Sequence, residues 1–96
     1  MTVRLSVLYP ATEGAKFDHD YYATRHVPLC LSAWDLDEAQ IDKGIDGPYV
    51  AAVHFEFESM DELERRMGSP DTAKVVADVA NYTTITPVRQ LSEVVS

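Results

Sequence analysis

This sequence predicts an α+β domain: a four-stranded antiparallel sheet with helices on one face. Three observations lead there. Two segments have strand periodicity, beginning at Val3 and Tyr49; each is followed by a capped helical segment; and a Thr/Val/Ile-rich run closes the chain.

Val3, Leu5, Val7 and Tyr9 alternate with Arg4, Ser6 and Leu8, the period-2 pattern of a strand. Pro10 ends it, and Ala11 to Lys16, with Gly14, form a loop. A helix then runs from about Asp18 toward Trp34. Asp18 caps it, because its carboxylate accepts from the free N–H groups of the first turn. Phe17 and Tyr22, on either side of the cap, suit a hydrophobic staple. From Tyr22, steps of four and three place His26, Leu29 and Ala33 on one helical face. Pro28 leaves the Thr24 carbonyl without its N–H partner and is expected to kink or interrupt the helix.

A short second strand is expected from about Ala39 to Gly44, followed by the turn pair Gly47-Pro48. Tyr49 to Glu58 is the clearest strand. Tyr49, Ala51, Val53, Phe55 and Phe57 share one face, and Val50, Ala52, His54, Glu56 and Glu58 the other. Ser59 caps a second helix, with Glu62 in the capping-box position. Gly68 stops this helix, and Ser69-Pro70-Asp71 restarts it as far as about Asn81. Thr83 to Val95 reads as the last strand, with Pro87 marking an edge or a bulge.

Strand, helix, strand, strand, helix, strand is the ferredoxin-like order. Helices would cover one sheet face, which leaves Leu8, Val50 and Ala52 apolar on the other, beside Val88 or Val94. Face-to-face pairing of two sheets in a homodimer would hide them.

Composition narrows the function. The 96 residues suit a single domain with one core. A formal net charge of -8 lacks the positive field that nucleic acids or anionic membrane surfaces attract. No apolar run approaches the ~20 residues that span a bilayer, and Met1-Thr2-Val3-Arg4 enters a strand pattern at once, unlike a signal peptide. One cysteine, Cys30, excludes an internal disulfide framework and fits a reducing compartment. A cytoplasmic protein is therefore expected.

Among polar residues, His26 stands out, since the helical stripe aims its imidazole at apolar surroundings. Opening into an enclosed hollow between helix and sheet, it could remove a proton alpha to a carbonyl or from a phenol, with the Tyr22 hydroxyl bonding the developing oxyanion. Tyr9, Tyr49, Phe55, Tyr82 and Leu29 would wall the pocket of a small hydrophobic or aromatic molecule. The plainer alternative is a core histidine bonded to a backbone carbonyl. His54, a second catalytic candidate, lies on the strand face opposite Tyr49 and Phe55, so it points toward the proposed dimer interior unless a bulge reverses the register. His19, in the first helical turn, is expected at the surface. No histidine pair has the i, i+4 spacing of a helical metal site, and no Gly-rich phosphate loop appears, so neither metal nor nucleotide cofactor is expected.

Leu8-Tyr9-Pro10, Gly14, Phe17-Asp18, Tyr21-Tyr22, His26-Val27-Pro28-Leu29, Pro48-Tyr49, Phe55 to Ser59 and Asn81-Tyr82 through Pro87 together resemble the EthD family. Asp35 to Asp46 carries none of the resemblance. The resemblance implies a dimeric α/β barrel, in a superfamily that includes cofactor-free monooxygenases, polyketide cyclases, lactone isomerases and haem-degrading proteins. It also implies a link to catabolism of ether compounds. A fold analogy does not by itself license a substrate. A non-catalytic ligand-binding or accessory subunit of a degradation pathway stays open beside an oxygenase, cyclase or isomerase.

Overall fold

The computed structural model describes the whole chain, Met1–Ser96. Strand β1 (Val3–Pro10) leads into helix α1 (His19–Tyr21), a π-helical turn (Tyr22–His26) and helix α2 (Val27–Trp34). Strands β2 (Gln40–Lys43) and β3 (Tyr49–Phe57) form a hairpin. Helices α3 (Met60–Met67) and α4 (Thr72–Asp78), a 3-10 turn (Val79–Asn81) and strand β4 (Val88–Glu93) complete the chain. The strand order is β2-β3-β1-β4 and every pairing is antiparallel.

The expected caps form. Asp18 accepts from the Tyr21 N–H at 3.0 Å, and Ser59 from the Glu62 N–H at 3.1 Å. Phe17 and Tyr22 close the staple with ring centroids 5.0 Å apart. In the β2–β3 hairpin, Gly44 donates to the Val50 carbonyl at 2.8 Å, and a Cβ there would lie 2.2 Å from the Tyr49 carbonyl oxygen. Only glycine permits that approach.

Two expectations need correction. The first helix is not a single α-helix. The Val27 N–H donates to the Tyr22 carbonyl five residues back, so the turn holds one residue more than an α-helical turn. The break falls just before Pro28, which then occupies the first turn of α2, where a missing N–H costs no helical hydrogen bond. The extra residue advances the inward stripe by one, so Val27, Cys30 and Trp34 are buried while Leu29 and Ala33 are only half-buried. The last strand is also shorter than expected. Thr83 makes an isolated bridge with Phe17, and its hydroxyl bonds the Lys16 carbonyl at 2.6 Å, tying this segment to the first loop. Ladder pairing with β1 begins only after Pro87.

The core lies between the sheet and the helices. Val3, Leu5 and Tyr9 of β1 and Ala51, Val53, Phe55 and Phe57 of β3 meet Tyr22, Val27, Cys30, Trp34, Leu63 and Val75. The helices leave the edge strands partly uncovered, so Ile41 and Leu91, on the helix side, stay exposed. On the opposite face Leu8 pairs with Ala52 and with Val88.

Phe55 is 1% exposed and meets the Trp34 ring edge-on at 5.1 Å, whereas Ile45 at the hairpin tip is fully exposed. Phe55→Ala is therefore expected to cost about 3–5 kcal/mol in urea unfolding. Ile45→Ala should fall within about 0.5 kcal/mol of the parent.

Candidate functional site

Four aromatic residues converge behind the sheet. Tyr9 ends the inward row of β1, Phe17 precedes the α1 cap, Tyr22 opens the π turn and Tyr82 follows the 3-10 turn. Tyr22 lies 5.3 Å from Tyr9 and 5.0 Å from Tyr82, centroid to centroid. The Tyr9 and Tyr82 hydroxyls share a hydrogen bond of 2.6 Å. The Tyr22 hydroxyl, on a residue 1% exposed, has no hydrogen-bond partner.

His26 closes the π turn against this cluster. Its ring stacks on Tyr22 at 5.5 Å and sits 4.5 Å from Tyr82. The imidazole is buried, and its Nδ1 lies 2.9 Å from Oδ2 of Asp78, the last residue of α4. The other Asp78 oxygen, Oδ1, accepts from the Tyr21 hydroxyl at 2.8 Å and from the Asn81 amide at 2.9 Å. A carboxylate only accepts, so this bond assigns the proton to Nδ1 and leaves the Nε2 lone pair free. Nε2 has no hydrogen-bond partner in the protein.

Electrostatics follow from these contacts. Burial lowers the His26 pKa below the usual imidazole value, and the Asp78 carboxylate offsets only part of that shift. For Asp78, desolvation pushes upward, but the bonds from Asn81, His26 and Tyr21 together outweigh it and hold the carboxyl below its ordinary range. Burial raises Tyr9, Tyr22 and Tyr82, keeping their hydroxyls protonated, and lifts the Cys30 thiol to about 12, which makes it unreactive. Burial thus holds a neutral imidazole beside protonated phenols, and the Asp78 hydrogen bond, by engaging Nδ1, leaves the Nε2 lone pair free. A neutral imidazole so held can accept a proton.

Of the eight residues expected at the site, the fold gathers His26, Tyr22, Tyr9 and Tyr82. Leu29 is carried off the inward line by the π turn. Phe55 is spent on core packing against Trp34, and Tyr49, 39% exposed, stands at the rim of β3 away from the aromatic cluster. His54 lies on the other sheet face, as the strand alternation implied, so the two histidines share no pocket within one subunit. It bridges Ser6 Oγ at 2.7 Å and Asp42 Oδ2 at 2.9 Å. His19 is half-buried against Phe17, not free at the surface. Sequence reasoning missed Asp78, Tyr21 and Asn81. The Asp78–Asn81 spacing of three is a visible helical signal; the Asp78–His26 contact spans 52 residues and has none.

Where a hollow was expected beside the imidazole, the Tyr22 and Tyr82 rings pack directly on it. Two grooves lie elsewhere on the molecule. A groove of about 700 Å³ runs between the Asp35–Gln40 loop and the end of β3, and one of about 300 Å³ lies beside Trp34 and Arg65. No group of three His, Cys, Asp or Glu side chains is arranged to hold a metal ion.

No family model and no curated protein matches the chain. Solved structures do. An EthD-like protein from Ralstonia eutropha JMP134 is 36% identical, with a TM-score of 0.89, over 99% of this chain and 93% of that one. An EthD family protein from Bacillus halodurans C-125 is 16% identical, with a TM-score of 0.77, over 99% and 100%. A mutant of SnoaB, a cofactor-independent oxygenase from Streptomyces nogalater, shares the fold alone, at 7% identity and a TM-score of 0.65, over 97% and 91%. Near-complete mutual coverage at more than a third identity settles the relationship: the chain belongs to the EthD family.

Proposed function

We propose that this EthD-like protein binds and transforms a small hydrophobic or aromatic metabolite, with His26 as general base and Asp78 as the residue that positions it. The observation that carries this is the His26–Asp78 bond of 2.9 Å, which fixes the tautomer and leaves Nε2 as a free acceptor among aromatic rings. Proton removal of this kind is the first step that a cofactor-independent oxygenase, a cyclase and an isomerase acting on such compounds share. Tyr22 serves as a donor to the developing oxyanion, and Tyr9 and Tyr82 as walls. A ligand reaches the imidazole only when the rings over it move, because the site is closed in this structure. That closure favours a second reading, an accessory protein that holds such a compound without turnover.

The working unit in this proposal is a cytoplasmic homodimer paired through the open sheet faces. Leu8, Ala52 and Val88 adjoin there, with 47% of Val88 exposed in the single chain. No helix is long and apolar enough to cross a membrane.

Solvent deuterium exchange into acidic C–H positions of a panel of phenols and enolisable ketones, followed by NMR, tests catalysis without knowledge of the final product. His26→Gln should lower the exchange rate about 10²–10⁴-fold, and Asp78→Asn should lower it less while moving the pH midpoint. Exchange unchanged in His26→Gln would refute the base assignment, and its absence for every compound would favour the accessory reading.

A second prediction concerns acid. The folded pKa of His26 is depressed, so the unfolded chain takes up the proton first, and the stability this group contributes is fully present above the ordinary imidazole pKa of 6.5. It is lost as pH falls below that value toward the folded pKa. Asp78 adds a further loss below 3.8, its ordinary value. Urea midpoints measured between neutral pH and pH 5 should therefore fall, and His26→Gln should flatten that slope.

The double variant Leu8→Asp, Val88→Asp should convert a species of twice the chain mass into monomer in light scattering. A parent that already elutes as monomer would remove the dimer proposal.

A further inference from the structure

We infer that the outer edge of β4 is a self-pairing surface, on which the β4 of a second copy of this chain lies antiparallel with Leu91 opposite Leu91. This rests on the homodimer reading and specifies the edge and register through which the two copies join. β4 is an edge strand, bonded on one side only, to β1. The Val94 N–H donates to the Thr2 carbonyl at 2.9 Å, which makes Thr2 and Val94 a hydrogen-bonded pair of that ladder. Such pairs alternate along an antiparallel ladder, so Val88, Gln90 and Ser92 also turn their backbone groups toward β1. Arg89, Leu91 and Glu93 turn theirs outward, and no loop or turn of the chain bonds them. A strand edge left open in this way is a template for another strand. β4 runs from Val88 to Glu93 without proline or glycine to blunt it.

The register follows from which residues can face one another. Outward-facing residues must meet outward-facing residues, and each such pair then exchanges two backbone hydrogen bonds. One register sets Arg89 opposite Glu93 at both ends and Leu91 opposite Leu91 in the middle. Sliding one strand by two residues sets Leu91 against a charge. Sliding it by four sets Arg89 on Arg89 or Glu93 on Glu93, and like charges directly opposite are destabilising. Neither Arg89 nor Glu93 has an ion-pair partner within the chain.

The same register continues the rows of the sheet in kind. On the helix side Phe55, Leu5 and Leu91 stand in one row, and a second Leu91 extends it over a side chain that is 45% exposed in the single chain. On the open face Ala52, Leu8 and Val88 form a row that Val94 of the second copy extends. His54, Ser6 and Gln90 form a polar row that continues into Ser92. The pairing axis stands perpendicular to the sheet, so both open faces lie on one side of it, compatible with their packing together in the same dimer.

Light scattering on the exposed-site variants Arg89→Glu and Glu93→Arg tests the register. Each sets like charges opposite one another and should weaken self-association at least about 10-fold, with the circular dichroism of the parent retained. An equimolar mixture of the two should recover twice the chain mass, because every facing pair is again of opposite charge. Leu91→Cys should cross-link on mild oxidation, since facing Cα atoms of a hydrogen-bonded pair stand about 5.5 Å apart, within disulfide reach; Arg89→Cys should not. Cys30 is buried and does not compete. Charge variants that associate like the parent, a mixture no larger than its components, or equal cross-linking at both cysteine sites overturns the inference. A dimer lost in Leu8→Asp but indifferent to both charge variants removes the edge and leaves the open-face reading standing. A dimer lost in each charge variant, recovered in the mixture and indifferent to Leu8→Asp keeps the edge and removes the face. A monomeric parent removes both.

Discussion

One extra residue in the turn from Tyr22 to His26 governs what faces the sheet. A regular α-helix through this sequence would set Leu29 and Ala33 below His26 and would lose a hydrogen bond where Pro28 has no N–H. The π turn resolves both. It takes up the discontinuity before the proline and rotates the following helix, so that Val27, Cys30 and Trp34 fill the core. Tyr22 and His26 then share one widened turn with their rings nearly parallel, 17° apart. The site is therefore a product of the same local irregularity that lets α2 pack.

That dependence explains what could and could not be read in advance. The caps at Asp18 and Ser59, the alternation of β1 and β3, and the ferredoxin-like order were legible because each rests on spacings of two to four residues. The inward position of His26 was legible for the same reason. The drift of Leu29 was not: a proline signals a disturbance of a helix but does not say whether the chain will kink or widen. Phe55 could not be divided between pocket and core by alternation, which assigns a face but not a neighbour. Asp78 was invisible as a partner because two helices far apart in sequence must pack before the contact exists.

The position of Asp78 is informative in its own right. A carboxylate at the end of a helix stands against the negative end of the helix dipole, and burial adds to the cost. Three donors converge on it, from Tyr21, His26 and Asn81, and the net result is a carboxyl held ionised. A local rule is broken here and offset by a specific set of contacts, the pattern expected where a residue is kept for a purpose other than the stability of its own helix. The beneficiary is the His26 tautomer. A backbone carbonyl could orient the ring equally well, but a carboxylate would also stabilise an imidazolium, as the proposed role of His26 as base requires.

The second histidine shows why composition of a site is not enough. Ser6, His54 and Asp42 form a hydrogen-bonded line in the residue types of an acyl-transfer triad, with contacts of 2.7 and 2.9 Å. Ser6, however, lies in a strand whose ladder is engaged on both edges, by β3 and by β4. Its neighbouring N–H groups are committed to the sheet, so the line has no backbone donors aimed at an oxyanion, the largest single contribution in acyl transfer. It is better suited to satisfying polar side chains on a face that also carries Leu8, Ala52 and Val88, running from buried Ser6 through half-buried His54 to exposed Asp42. The sheet thereby separates two sets of polar contacts: the His26–Asp78 pair on its helical side, where Nδ1 is committed and Nε2 is not, and the Ser6–His54–Asp42 line on its open side, where both imidazole nitrogens have partners.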